Sequence, residues 1–293
     1  MLTCDIGVMV YNEEKNIGHL LETLISQKLR KIKIANIFVV ASGCTDKTVP
    51  IIKKFIKRNK KIQLILQKKR EGKASAINLF IKNAKSSILI LESGDTLPSE
   101  GAIEKLIEPF SDSQIGMTGA YMKPVDSPKT FWGFVANFQW HLHHLISLQK
   151  PKMGELVAFR KIFVQIPRFS SVDEANIEPL IKGQGFELKY VSGAIVHNKG
   201  PENLTDFLRQ RRRIFAGHLA LKRDQGYAVA TLSGLRIFLL YLKDFKFDFQ
   251  YIFWSPIVIF LEIYGRLLGF YDFHFKKKSH AIWERSETTK KLR

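Results

Sequence analysis

The 293-residue sequence contains only two cysteines, Cys4 and Cys44. Two thiols exclude a disulfide framework and a cysteine-rich zinc site, and they fit a reducing compartment. Acidic residues are also scarce: 27 Asp plus Glu stand against 46 Lys plus Arg, a formal charge of +19. That surplus favours phosphates, anionic lipid or nucleic acid, and charge alone does not choose among the three. The basic residues are spread along the chain without a nucleic-acid-binding motif, so nucleic acid is not the expected partner. Met1 to Val10 includes Asp5 and lacks the basic start and long apolar run of a signal peptide, so it is expected to be the first strand of a folded domain. No internal repeat or low-complexity linker divides the chain.

Apolar runs alternate with amphipathic segments from residue 3 to about 91, the pattern of βα units with a parallel sheet. Strands are expected at Ile6 to Val10, Ile37 to Ala41, Ile62 to Leu66 and Ile88 to Leu91. Helices are expected to begin near Glu13, Asp46 and Lys73, the first two after the cap-type residues Asn12 and Thr45. After Asp95 the pattern predicts a helix over Ser99 to Phe110, a strand over Ile115 to Met122, a long aromatic helix over Phe131 to Leu148, and a helix over Asn203 to Arg223.

The polar residues of interest sit where these strands end, and ligands of open α/β sheets bind at the carboxyl ends of strands. Asn12, Glu13 and Glu14 follow the first strand, where they would either meet a ligand or cap a helix. Ser42 to Thr48 follows the second, with small residues that let backbone approach a ligand and with Asp46 able to fix the turn or meet a sugar hydroxyl. Gly72-Lys73 opens a helix and can set a cation and free N–H groups on phosphate, although the P-loop's remaining glycine is missing. The fourth strand runs into Glu92-Ser93-Gly94-Asp95, a carboxylate held on a strand end, and a hard cation bound to phosphates needs only one or two such groups. His197, after another short strand, is a candidate to complete that coordination or is structural. Asp173 and Glu174 are adjacent carboxylates at a helix start, able to act as a general base or to cap. Gln210 and Arg213, three apart on a basic helix, share one face and would meet a pyrophosphate or acceptor together.

The order and spacing of these segments from residue 3 to about 220 resemble family 2 glycosyltransferases. The resemblance implies an α/β GT-A fold with a mostly parallel mixed sheet between helices, a nucleotide-sugar donor, a lipid-linked or glycan acceptor, and a divalent cation, Mn or Mg. Carried onto this sequence, it assigns the donor nucleoside to Asn12, Glu13, Ser42, Asp46 and Lys73, and the metal to Asp95 with His197. The family's Asp-X-Asp motif falls on Ser93-Gly94-Asp95, with Ser93 in place of the first Asp. Its acidic base motif falls on Asp173-Glu174 in exchanged order, with Asp173 named first and Glu174 the competing base. Its Gln-X-X-Arg-Trp motif matches Gln210 to Arg213, with Ile214 for Trp. The implied mechanism is a single displacement with inversion. UDP and GDP donors both stay open, and a catalytically silent membrane-attached module is the alternative.

Residues 1–230 are read as the catalytic domain and 231–293 as a helical, apolar and basic segment bound to the cytoplasmic face of a membrane. Tyr251 to Leu261 is apolar but shorter than the roughly twenty residues needed to span, so interfacial insertion is expected. Trp254 and several tyrosines suit the headgroup level, and Lys276 to Lys278, Lys290, Lys291 and Arg293 would be drawn to anionic lipid. Packing of the segment on the domain, or a re-entrant helical hairpin with Glu262 paired to Arg266, are the other arrangements.

Overall fold

The structure is a computed structural model that describes residues 1–168 and 170–276, with Ile282, Thr288, Thr289 and Leu292. The first half is β1 (Leu2–Val10), α1 (Ile17–Ile25), β2 (Ile32–Ser42), α2 (Thr48–Arg58), β3 (Ile62–Gln67), α3 (Lys73–Asn83) and β4 (Ile88–Ser93). The second half is β5 (Leu97–Pro98), α4 (Ala102–Ile107), β6 (Ile115–Pro124), α5 (Phe131–Gln149), β7 (Val157–Arg160), α6 (Ile177–Lys182), β8 (Glu187–Asn198) and α7 (Leu204–Gln225). Two further helices follow, α8 (Gly234–Lys243) and α9 (Phe249–Tyr271).

One eight-stranded sheet runs in the order β3-β2-β1-β4-β7-β6-β8-β5. The pairs β3-β2, β2-β1, β1-β4 and β6-β8 are parallel, while β7 is antiparallel to both its neighbours. The predicted strands and long helices are present, but β7 had no expectation of its own. Its four residues carry no readable alternation, and both flanking strands bury it.

Period-two alternation sends the side chains of β1 to two cores. Ile6, Val8 and Val10 pack with Leu20, Leu21 and Ile52 of α1 and α2 and with Ile103 and Leu106 of α4. Met9 packs with Ile77, Phe80 and Ile81 of α3 and with Ile177 of α6 on the other face. Gly7 permits this second layer: a Cβ there would lie 2.4 Å from the Phe80 ring. Phe80 is fully buried, worth roughly 1.5–3 kcal/mol relative to exposure.

Helices α8 and α9 pack on α5 and α7 through an aromatic cluster that includes Phe134, Phe138, Phe207, Tyr241 and Tyr251. Gly265 and Gly269 bring α9 against α7, where a Cβ at Gly269 would sit 2.6 Å from the Arg212 carbonyl. Arg212 also pairs with the fully buried Asp272. Helix α9 runs straight through Glu262 and Arg266, whose i,i+4 pair at 2.9 Å neutralises both charges within the helix. The apolar segment is therefore longer than the run legible in sequence, and Phe249–Lys276 is long and apolar enough by length and composition to cross a membrane. Lys277, Lys278, Lys290, Lys291 and Arg293 lie outside the described residues.

Candidate active site

Registers Val10↔Ala41 and Met9↔Ser93 bring the ends of β1, β2 and β4 level, so their following loops share one edge of the sheet. These loops, the start of α3, the segment before α6, and α5, α7 and α9 enclose a cavity of about 960 Å³. That is at the upper end of ligand-site volumes.

The first two loops lock each other. Asn12 Oδ1 accepts from Thr45 N at 2.8 Å and Asn12 Nδ2 donates to Thr45 Oγ1 at 3.1 Å. Asp46 accepts from Glu14 N at 3.1 Å and Thr48 N at 2.9 Å, and Glu14 accepts from Lys47 N at 3.0 Å. Asn12 takes φ 54°, a left-handed conformation that asparagine tolerates. The helices accordingly begin at Ile17 and Thr48, later than the cap-type residues suggested, because Asn12 and Thr45 bind one another instead of helix N–H groups. Asn12 and Asp46 shape the loop and do not line the cavity, whereas Glu13 and Ser42 do.

Lys73 is the first residue of α3, after Gly72 at φ 90°. A cation at a helix N-terminus opposes the helix dipole, so local energetics do not explain its place. Its partners do: Nζ donates to Ser93 Oγ at 2.8 Å and pairs closely with Glu174. Burial alone pulls the ammonium down, but Glu174, Asp173 and Glu155 outweigh it and hold the group above its ordinary value. One side chain thus ties the end of β4 to a carboxylate 101 residues away.

Asp173 is the neighbour outside that ion pair. It is 1% exposed, with the Ser170 hydroxyl beside its carboxylate. Burial first, then the nearby Glu174, push its carboxyl up to about 7 against the pull of Lys73, Arg213 and the Ser170 hydroxyl. The loop carrying it is braced by its own polar residues: Ser170 Oγ accepts from Asn176 Nδ2 at 2.6 Å, and Asn176 Oδ1 accepts from Gln225 of α7 at 2.6 Å. Arg213 NH1 donates to the Ser171 carbonyl at 3.0 Å, so this guanidinium grips the backbone beside the acid. Gln210 lines the same cavity. The arrangement therefore offers a near-neutral carboxyl beside an ammonium–carboxylate pair, suited to proton transfer.

Asp95 lies half-buried on the cavity wall. Glu92 is buried and held up to about 8 by desolvation, with Thr96 Oγ1 bonded to one oxygen and no partner on the other among the described residues. His197 is not brought to the cavity: Nε2 lies 3.0 Å from Ser99 Oγ and Nδ1 3.2 Å from the Lys123 carbonyl, on the β5–β8 pair. Among the described residues no group of three His, Cys, Asp or Glu is placed to hold a metal ion. A cation that takes most of its ligands from a diphosphate needs one or two protein carboxylates, and Asp95 meets that lower requirement. Two features had no sequence signal. The Arg70 guanidinium covers the Tyr11 ring at 4.1 Å, and Glu155, after α5, faces Lys73, Arg211 and Arg213.

A model of the family described as Glycosyl transferase family 2 matches residues 5–177. The glycosyltransferase AglE of Haloferax volcanii is 27% identical over 112 residues, covering 38% of this chain and 36% of that protein. The poly-beta-1,6-N-acetyl-D-glucosamine synthase of Staphylococcus aureus is 25% identical over 228 residues, 73% of this chain and 54% of that protein. The chain thus spans about half or less of the length of these curated relatives. Among solved structures, the mannosyltransferase PcManGT from Pyrobaculum calidifontis, in complex with GDP-Man and Mn2+, superposes with a TM-score of 0.69. The match has 16% identity and covers 94% of this chain and 88% of that one. TarS 1-349 of S. aureus in complex with UDP-GlcNAc gives a TM-score of 0.52 at 17% identity, covering 93% of this chain and 80% of that one. The fold is that of the GT-A glycosyltransferases.

Proposed function

Because the chain belongs to glycosyl transferase family 2, we propose that it moves a sugar from a nucleotide-diphosphate donor to a hydroxyl acceptor with inversion, in one displacement, beside a membrane. The observation that carries this reading is Asp173: a buried carboxyl outside the Lys73–Glu174 pair, raised to about 7, in a cavity lined by strand-end loops. Asp173 takes the acceptor proton as that oxygen attacks the anomeric carbon, and the bond to the diphosphate breaks on the opposite face. Glu174 is paired with Lys73, which favours Asp173 as the base and leaves Glu174 to hold the lysine. Glu13 and Ser42 border the donor end, with the Arg70–Tyr11 pair beside them.

The diphosphate gains charge as it leaves, so fixed cations stabilise the transition state more than the ground state. Lys73, held at Ser93, supplies one such charge. Asp95 would hold a divalent cation against the donor phosphates, where the metal would act as a Lewis acid on the leaving group. The PcManGT complex contains Mn2+, which agrees with this role. Arg213 fixes the Asp173 loop through Ser171, and Gln210 stands beside it.

For residues 231–293, treated as a unit appended to the 1–230 catalytic domain, we read α8 and α9 as lying in the cytoplasmic membrane interface. One side of α9 is packed on α5 and α7, while Phe253, Ile257, Phe260, Ile263 and Leu267 stay exposed. Exposed apolar area on that scale is unusual for a surface facing water alone. A helix bound along one face supports interfacial seating more than spanning.

The test is a panel of UDP- and GDP-sugars scored by protection of the full chain from thermal unfolding, with and without manganese, followed by turnover of whichever binds. Failure of every nucleotide sugar to bind would overturn the reading, as would binding without turnover in the presence of hydroxyl acceptors and membranes.

A further inference from the structure

Of the carboxylates that line the cavity among the described residues, Glu155 is the one to which the displacement gives no task. Glu13 and Asp95 belong to the donor end, and Asp173 and Glu174 serve the acceptor and Lys73. Asp206 pairs with Arg209, and Glu262 with Arg266. A carboxylate on the wall of a cavity that collects a diphosphate repels that ligand, so it is retained for another reason.

The backbone fixes where Glu155 stands. Strand β7 is antiparallel to β4, with Val157 opposite Leu91. Two residues before Val157 on one strand are therefore level with two residues after Leu91 on the other. This brings Glu155 to the level of Ser93, the residue that binds Lys73 Nζ at 2.8 Å. The segment leading to it is braced. Met153 N donates to Glu178 Oε1 at 3.1 Å, and Lys152 Nζ donates to the Met153 carbonyl at 2.6 Å. Glu178 is fully buried and also accepts from Tyr227 OH at 2.8 Å. Gly119 of β6 makes room for Met153, since a Cβ there would lie 2.5 Å from Met153 Sδ. Glu155 thus sits on a rigid mount, as a group that discriminates between ligands must.

Its electrostatic neighbours narrow the position further. Glu155 acts on Lys73 and Glu92 beside the end of β4, and on Arg211 and Arg213 of α7. Lys73 marks the diphosphate, and Arg213 braces the loop of Asp173, where the acceptor oxygen enters. In a single displacement the anomeric carbon lies between the leaving diphosphate and that oxygen, so the donor's sugar ring comes within reach of Glu155. Without Glu155, the cations Lys73, Arg211 and Arg213 would surround the ring and suit a sugar that carries its own carboxylate. With it, the wall offers an acceptor group whose oxygens take bonds from two neighbouring hydroxyls.

We propose that Glu155 sets donor specificity: its carboxylate accepts from hydroxyls of an uncharged sugar ring and repels a hexuronic acid at the same place. This rests on the transferase reading above.

The experiment measures binding to the full chain by calorimetry, with manganese present. The ligands are UDP-glucose, UDP-N-acetylglucosamine and UDP-glucuronate, GDP-mannose and GDP-mannuronate, and UDP and GDP alone. In the series that binds, wild type is expected to hold an uncharged sugar nucleotide at least about tenfold more tightly than the uronate, the scale of one charge-assisted hydrogen bond. Glu155→Gln should cut that preference by at least about tenfold, weakening the uncharged donor and strengthening the uronate, while the bare nucleotide binds no more weakly than before. Glu155→Asp keeps the charge and should keep the exclusion of the uronate. Equal wild-type affinity for the uncharged donor and the uronate, or a preference unchanged in Glu155→Gln, would overturn the assignment and leave the transferase reading standing. Weaker binding of bare UDP or GDP in Glu155→Gln, or loss of its manganese dependence, would make Glu155 a phosphate or metal group and equally overturn it. Failure of every nucleotide sugar to bind would remove both readings together. Because an indifferent wild type already refutes the assignment, a variant that fails to fold leaves the test intact.

Discussion

Replacing Asp173 with Asn should abolish most transfer and at the same time stabilise the protein above neutral pH. The carboxyl moves from its ordinary 3.8 to about 7 because it is buried beside Glu174, with Lys73 and Arg213 only partly compensating. A folded-state value above the unfolded one means that stability is full below about pH 4 and falls as pH rises toward 7, since the folded protein keeps a proton the unfolded chain releases. The shift of about three units corresponds to roughly 4 kcal/mol at most, at about 1.4 kcal/mol per unit. Asn keeps the shape and has no charge to bury. The variant should therefore match wild type near pH 4, exceed it by about 2 kcal/mol at pH 5, and approach the full difference above pH 7. Urea unfolding of both proteins at pH 5 and pH 8 measures the gap, and transfer assays should show a loss of at least about a hundredfold with donor binding retained. Wild-type kcat/KM should rise with pH through about 7 as the base ionises. An Asn variant no more stable relative to wild type at pH 8 than at pH 5 would refute the buried carboxylate. A Glu174→Gln variant that alone gives the catalytic loss, with Asp173 intact, would move the base by one residue.

Arg213→Lys keeps the charge but loses the planar fork that reaches the Ser171 carbonyl, so transfer should fall about tenfold or more; full activity would reduce the cluster to a solvated basic face. Asp95→Asn should remove the manganese-dependent part of donor stabilisation in thermal unfolding and abolish transfer, and a chelator should have no further effect on the variant; an unchanged manganese response would separate Asp95 from the metal. The full chain should float with anionic liposomes at low salt, and Phe253→Asp with Phe260→Asp should weaken flotation at least about tenfold, because each exposed ring loses 1.5–3 kcal/mol of burial, roughly, and a charge is added. Flotation undiminished in that double variant would remove α9 as the contact.

The four parallel strands, their order along the chain and the polar turns at their ends were legible in the sequence, because apolar runs and their spacing are local properties. Glu13, Ser42, Lys73, Ser93, Asp95, Asp173, Glu174, Gln210 and Arg213 all reach one cavity for that reason: strand ends and a helix face point where topology sends them. Contacts between distant segments were not legible. Asn12 and Asp46 look like ligand groups in sequence, yet their hydrogen bonds tie loops to one another. His197 follows an apolar run as a metal ligand would, but the pairing of β5 with β8 turns its ring onto Ser99. The lysine that closes on Glu174, the desolvation that raises Asp173 and the gathering of Glu155, Arg211 and Arg213 depend on residues tens to a hundred positions apart. A carboxylate's proton affinity is set by what surrounds it in space, and only the packed chain decides which cations and which apolar groups those are.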